Sequence, residues 1–248
     1  MIPKIIHYCW FGRHDKPGLI RKCIASWKKY MPDWEIREWN EDNYNVNKND
    51  YMREAYEEGK WAFVVDYARF DILNKFGGVF LDTDVELLRP IPENILANEA
   101  FTGFEDIGRV NPGLVYGSVP GQKILKEIMA AYESRSYGGT VDGRPENIVD
   151  VVSNVLIKNG LKINGEFQIV GGAAIYPKDY FCCFNFETQG FETTGNTVSI
   201  HHYFASWTPL GKRIHFKIIK WTAAVLGKER YLWLKRKVLR KQGRQQVR

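Results

Sequence analysis

The residues in this chain best suited to chemistry are Asp82 and Asp84, in the run Val79-Phe80-Leu81-Asp82-Thr83-Asp84. In an extended segment, positions two apart point to the same face. Two carboxylates placed that way repel each other and lose solvation, so a counter-charge must hold them ionised. A divalent cation does this, and oxygen ligands suit Mg²⁺ or Mn²⁺. A cation held by few protein ligands keeps open positions, which substrate phosphates commonly fill. A second acid and a base come shortly before. Asp66 and Arg69 are i, i+3 and share one helical face.

The elements that must position these groups follow from the same stretch. Trp61 to Phe76 reads as a helix, with Val65, Phe70, Ile72, Leu73 and Phe76 as apolar cover. Gly77-Gly78 lets the chain leave that helix in a tight reversal that a Cβ would resist. Val79-Phe80-Leu81 is short and apolar, which fits a buried strand ending at the acid pair. Upstream, Ile2 to Trp10 reads as a first strand, Lys16 to Tyr30 as a helix and Trp34 to Trp39 as an alternating strand. Strands and helices in this order predict an α/β domain with a mostly parallel central sheet flanked by helices.

The pattern Asp66-x-x-Arg69-x-x-x-Leu73-x-x-x-Gly77-Gly78-x-Phe80-x-Asp82-x-Asp84 resembles the Asp-x-Asp sugar-binding region of glycosyltransferase family 32. That family includes bacterial capsular and surface-polysaccharide transferases, yeast initiating mannosyltransferases and, more distantly, clostridial toxin glucosyltransferases. So many fixed positions at fixed spacing make a specific signal, where a lone Asp-x-Asp would be weak. The resemblance implies a GT-A fold and transfer of a hexose from a nucleotide sugar with retention of configuration. It gives Asp84 to Mn²⁺ or Mg²⁺, Asp82 to the donor ribose or sugar and indirectly to the metal, and Asp66 and Arg69 to the donor sugar hydroxyls.

The resemblance assigns further residues. Trp10, in His7-Tyr8-Cys9-Trp10-Phe11-Gly12, would stack on the nucleotide base, while His7 reads as a packed strand residue. Asn111, before a strand and a Pro-Gly turn, would lie near the donor sugar. The segment Ser199-Ile200-His201-His202-Tyr203-Phe204-Ala205-Ser206-Trp207 matches the end of the family's catalytic domain. Ser206 and Trp207 would donate to the diphosphate. Neighbours in an extended segment face opposite ways, so one histidine reaches the metal. His202 is assigned to it and His201 to packing.

Bulk properties narrow the classes. The 248 residues are 44% hydrophobic and 14% aromatic, enough for a packed core and against disorder. No run reaches membrane-span length, and the start lacks a basic-then-apolar leader, so the expected location is cytoplasmic. The four cysteines form no zinc or redox spacing and read as free thiols. Charge is uneven. Residues 211–248 hold 13 Lys+Arg and one Glu, a net of +12, which leaves −6 on residues 1–210 of the total +6. The expected organisation is a catalytic domain over 1–210 and a basic tail over 211–248. The tail reads as two amphipathic helices broken at Gly227, with stripes Ile214, Ile218, Trp221, Val225 and Tyr231, Leu234, Val238. Such helices suit an anionic membrane surface on the inner face of the cell membrane. No nucleic-acid motif accompanies the charge.

The expected donor is a UDP-hexose and the expected acceptor a saccharide, lipid-linked in surface polysaccharide synthesis. GDP-mannose is the alternative donor. A glycoside hydrolase needs carboxylates on opposing sides of a bond, which a same-face pair does not provide. A non-catalytic carbohydrate- or membrane-binding protein would not need Asp66, Arg69 and the acid pair together.

Overall fold

The computed structural model describes residues 1–133, 135–141, 144–145, 147–204 and 210–245. The first elements follow the order expected from the sequence, with α2 as an added helix: β1 (Ile5–Cys9), α1 (Gly18–Tyr30), β2 (Glu35–Trp39), α2 (Asp50–Glu57), α3 (Trp61–Phe76) and β3 (Gly78–Phe80). Then follow β4 (Val85–Leu87), α4 (Glu93–Leu96), β5 (Ala100–Asp106), β6 (Arg109–Val110), β7 (Tyr116–Ser118) and α5 (Lys123–Glu133). The remainder comprises β8 (Thr140–Val141), β9 (Arg144–Pro145), α6 (Ile148–Lys158), β10 (Gln168–Val170), β11 (Ala173–Tyr176) and α7 (Lys178–Phe181). It ends with β12 (Phe184–Asn185), β13 (Gly190–Phe191), β14 (Ser199–His201), α8 (Leu210–Leu226) and α9 (Lys228–Gln245).

The central sheet runs β10-β11-β5-β7-β3-β1-β2. β1 pairs parallel with β2 and β3, and β11 pairs parallel with β5. β7 lies antiparallel between β3 and β5, and β10 is an antiparallel edge. Five strands on this path therefore share one direction, and helices cover both faces, each over its own apolar cluster. The α/β expectation holds.

The Gly-Gly reversal is as tight as expected. Gly77 and Gly78 adopt φ of 63° and 99°. A Cβ on Gly78 would sit 2.6 Å from the Ile5 carbonyl oxygen, against the neighbouring strand. His7 secures the same corner. Its Nε2 donates to the Gly77 carbonyl (2.9 Å) and its Nδ1 accepts from Trp39 Nε1 (3.1 Å). Burial pushes the His7 pKa down to about 4, so the ring is neutral and both nitrogens are used. His7 is thus a packed strand residue.

A separate two-stranded pair positions the site. β14 lies antiparallel on β4, with His201 opposite Val85 and Ile200 opposite Glu86. This pairing carries the chain's later part back to the residue after Asp84. In the tail, Ile214, Ile218, Trp221 and Val225 of α8 are exposed, while Ala223 is buried. In α9 Leu232 is buried and Tyr231 half-buried, while Leu234 is exposed. The Val238 side chain lies outside the described residues. The tail meets the body through Lys228–Glu192 (2.9 Å) and Lys235–Glu187 (3.7 Å). Among the described residues, no helix is long and apolar enough to cross a membrane.

Candidate active site

Asp82 and Asp84 leave the carboxyl end of β3, but the chain does not stay extended. Residues 83–84 form a turn, closed by the Val85 N–H donating to the Asp82 carbonyl (2.9 Å). The turn still brings the two carboxylates together, and His201 joins them. One ligand atom from each of Asp82, Asp84 and His201 lies within 4.8 Å of the others. His201 Nε2 is 3.8 Å from Asp82 Oδ2 and 3.4 Å from Asp84 Oδ1.

The opposite oxygen of each carboxylate is already engaged. Arg69 Nη2 donates to Asp82 Oδ1, and the Phe204 N–H donates to Asp84 Oδ2 (2.7 Å). Each acid therefore has one oxygen tied from behind and one turned toward His201. That is the division between outer and inner shells that a metal site needs. Burial raises the Asp82 pKa, but Arg69 and His201 outweigh it and hold the carboxyl below its usual range. Burial lowers the His201 pKa, but Asp84 and Asp82 outweigh it and raise it.

Donor types and spacing fit Mn²⁺ or Mg²⁺. The hydrogen-bond pattern adds a condition for His201. The Tyr203 N–H donates to His201 Nδ1 (3.1 Å), so the neutral ring carries its proton on Nε2. Ligation through Nε2 would put an N–H on Nδ1, facing the Tyr203 N–H. As the ring stands, the two carboxylate oxygens are the ready ligands and His201 is a donor beside them.

The His202 backbone N–H donates to the Asp84 carbonyl (3.0 Å), but its side chain does not join the acid pair, which corrects its assignment to the metal. Its Nε2 bonds to Glu86 Oε2 (2.9 Å). The two histidines do face opposite ways, but β14 pairs with β4 in the register that turns His201 inward.

Arg69 is nearly fully buried, at 2% side-chain exposure. Its guanidinium lies 5.0 Å from the Phe80 ring centroid. Its Nε and Nη1 have no hydrogen-bond partner among the described residues. Each buried unpaired donor costs about 1–3 kcal/mol, so Arg69 has capacity left for ligand oxygens. Asp66, one turn earlier on α3, is also buried. Burial pushes its pKa up to about 8, with Asp82 adding to the rise and Arg69 opposing it. Tyr51 OH approaches Asp66 Oδ2 at 3.5 Å. At neutral pH Asp66 is a carboxylic acid, able both to donate to a hydroxyl and to accept from one.

Asn111 is buried beside the pair. Its Oδ1 accepts the Gly113 N–H (2.7 Å) and its Nδ2 donates to Glu105 Oε1 (2.8 Å). Gly113 must lack a side chain, because a Cβ there would lie 2.5 Å from Asp82 Oδ2. Trp10 stands at the carboxyl end of β1, the same sheet edge as the acid pair. Its Nε1 donates to the His14 carbonyl (2.6 Å). Its ring lines a pocket of about 220 Å³ with Arg13, Lys16, Glu38 and Glu41. Ser206 and Trp207 lie outside the described residues.

The chain thus has an α/β sheet with an acid pair at the carboxyl end of a central strand, the arrangement that the GT-A resemblance implies. Residues 17–102 match the family described as "Glycosyltransferase sugar-binding region containing DXD motif", the same stretch that carries the family-32 resemblance. It is 30% identical over 111 residues to an uncharacterised glycosyltransferase of Acanthamoeba polyphaga mimivirus, covering 42% of this chain and 44% of that protein. It is 30% identical over 105 residues to a human alpha-1,4-N-acetylglucosaminyltransferase, covering 41% of this chain and 26% of that protein. The aligned stretches thus span less than half the length of these relatives. Among solved structures, the PaToxG glycosyltransferase superposes with a TM-score of 0.48 at 14% identity, over 63% of this chain and 68% of that one.

Sequence reasoning missed three parts of the site: His201 as the inward histidine, Glu105 and Tyr203. Glu105 is the penultimate residue of β5 and Tyr203 follows β14. Tyr203 has φ of +48°, a conformation that costs a bulky residue about 1–3 kcal/mol. Neither carried a local signal, because the bond that joins them spans 98 residues of sequence.

Proposed function

We propose that this chain is a metal-dependent, retaining glycosyltransferase that moves a hexose from a nucleotide sugar, UDP-hexose, to a saccharide acceptor. The observation that carries this reading is the division of labour at the acid pair. Asp82 Oδ1 and Asp84 Oδ2 are tied by Arg69 and the Phe204 amide. Asp82 Oδ2 and Asp84 Oδ1 face a common point beside His201. Those two oxygens would hold Mn²⁺ or Mg²⁺, and His201 would join them on giving up its Nε2 proton. The bound cation supplies positive charge to the departing diphosphate.

The chain's own groups do the rest. The unpaired Nε and Nη1 of Arg69 and the Asp66 carboxyl would take the donor sugar hydroxyls. Trp10 would stack on the base for about 1–3 kcal/mol, with Asn111 beside the sugar. Ser206 and Trp207 would donate to the diphosphate. Retention comes from the family resemblance. Asp82 and Asp84 are both committed to partners, so a same-face transfer suits the site better than a carboxylate nucleophile. The human relative is named for N-acetylglucosamine transfer, which makes a UDP-N-acetylhexose one form the donor can take.

The test is calorimetric titration of UDP and of GDP, with and without Mn²⁺, into the wild-type chain and Asp84→Ala. The expected result is Mn²⁺-dependent UDP binding that Asp84→Ala abolishes. A preference for GDP would move the donor to mannose. No nucleotide binding under any condition would remove the transferase reading.

A specific observation also supports attachment to an anionic membrane through an appendage over 211–248, with a lipid-linked acceptor. Ile214, Ile218, Trp221 and Val225 form an exposed apolar stripe on α8, in a segment of net charge +12. Such a stripe can enter the headgroup region while cations meet lipid charge. Flotation with phosphatidylserine-containing vesicles should recover the wild-type chain and lose Ile218→Ser/Trp221→Ser. Equal recovery would reject this attachment.

A further inference from the structure

The acid pair is reached from two directions by segments with no direct hydrogen bond to each other among the described residues. The Asn111–Gly113 loop lies against Asp82, and the turn after β14 lies against Asp84. Glu105 connects them. Its Oε1 accepts from Asn111 Nδ2 (2.8 Å) and from Tyr203 OH (3.0 Å). Its side chain is 13% exposed, with Arg109 Nε 3.8 Å from its other oxygen.

Each end of this link controls something at the acids. On one side, Asn111 Oδ1 holds the Gly113 N–H (2.7 Å), and Gly113 forms the wall against which Asp82 Oδ2 rests. On the other, Tyr203 is fixed by its whole side chain. Its ring packs on Phe184 and Phe186 at 4.9 and 5.2 Å. It lies 4.2 Å from the His201 ring, and its OH also meets Cys182 Sγ (3.3 Å). A non-glycine residue keeps a φ of +48° only where its surroundings over-determine it. The turn this creates has two products. The Tyr203 N–H sets the His201 tautomer, and the Phe204 N–H is delivered to Asp84 Oδ2.

We propose that Glu105 and Tyr203 are positioning residues that act as one unit. The Glu105 carboxylate locks the Asn111 loop to the Tyr203 turn and so fixes the spacing of Asp82, Asp84 and His201 before any ligand arrives. This goes beyond the family's sugar-binding region, which ends at residue 102. It rests on the transferase reading only for its metal readout.

Two measurements test it. The first needs no ligand: amide hydrogen exchange by mass spectrometry on peptides covering 111–116 and 199–204, in wild type, Glu105→Ala, Glu105→Gln and Tyr203→Phe. Glu105→Ala is expected to speed exchange in both peptides at once, although they come from opposite sides of the site. Glu105→Gln keeps an acceptor oxygen and should restore most of the protection. Tyr203→Phe should loosen the 199–204 peptide and, through Glu105, the 111–116 peptide. Exchange that rises in one peptide alone, or in neither, overturns the proposal. Should Glu105→Ala fail to fold, Tyr203→Phe decides by the same criterion.

The second is Mn²⁺ affinity, read as free Mn²⁺ by electron paramagnetic resonance. Loss of such outer supports costs about 10–100-fold in metal affinity. Glu105→Ala and Tyr203→Phe are expected in that range, with the double variant no worse than the weaker single. Wild-type affinity in both variants, with Asp84→Ala abolishing binding, overturns the positioning role and leaves the transferase reading intact. No Mn²⁺ binding by the wild type overturns the metal reading, and the exchange result then decides the positioning unit by itself.

Discussion

Two arms build the acid pair, and they are held differently. The first, α3 through Asp84, is one continuous stretch in which helix, glycine reversal, short strand and acids follow within 24 residues, 61–84. Its key contact, Arg69 to Asp82, joins a buried guanidinium to a part-buried carboxylate and is charge-assisted. The second arm, β14 through Phe204, arrives from far along the chain. It offers a backbone amide, an imidazole and a left-handed tyrosine. The first arm is dictated by local chemistry and the second by the pairing of β14 with β4. Damage to the first should therefore reach the fold, and damage to the second should reach the site while sparing the fold.

The largest effect is expected from Arg69→Ala. Removing one partner of a buried ion pair leaves an uncompensated charge and costs about 3–5 kcal/mol. Urea denaturation should show a loss of that size. A loss under about 1 kcal/mol would mean that the first arm is not the structural one. Next is Gly113→Ala. Its Cβ would contact Asp82 Oδ2, so Mn²⁺ affinity should fall at least tenfold with little change in melting temperature. His201→Ala and His202→Ala divide the second arm. His201→Ala should weaken Mn²⁺ binding by a factor of about 10, whereas His202→Ala loses a Glu86 contact worth about 1 kcal/mol of stability. The reverse order would restore His202 to the metal.

A pH dependence bears on the first arm as well. Asp66 keeps its proton in the folded chain up to about 8, while the unfolded chain releases it near the ordinary 3.8. Between those values the folded state binds more protons, so Asp66's contribution to stability falls as pH rises through the window. Asp66→Asn should flatten that slope in denaturation curves taken from pH 5 to pH 9. An unchanged slope would show that Asp66 ionises normally.

Most of the first arm was legible in the sequence, because its signals are local. Asp66 and Arg69 lie on one helix turn, Gly77 and Gly78 mark a reversal that only glycine allows, and Val79 to Leu81 show apolar burial. Even there the text misled slightly. A strand-end geometry was expected for Asp82 and Asp84, and a turn achieves the same convergence. The second arm was half legible. The residue types were recognised, but not which histidine turns inward. Ile200 shares parity with His202 and is half-buried, whereas Ser199 and His201 are buried. The register that decides it, His201 opposite Val85, depends on a partner strand more than a hundred residues upstream. Glu105 looked like an ordinary strand end for the same reason.

The latch of β14 on β4 also fixes when the site comes into being. The Phe204 amide that completes Asp84 is 120 residues downstream of it. A chain growing from its N-terminus would fold α3 and display the acids long before that amide is made. Until then, Asp84 lacks its rear support and His201 does not yet exist. Site assembly is therefore a late event of synthesis, and a nascent or prematurely terminated chain would carry the sugar-binding motif without a finished acid pair.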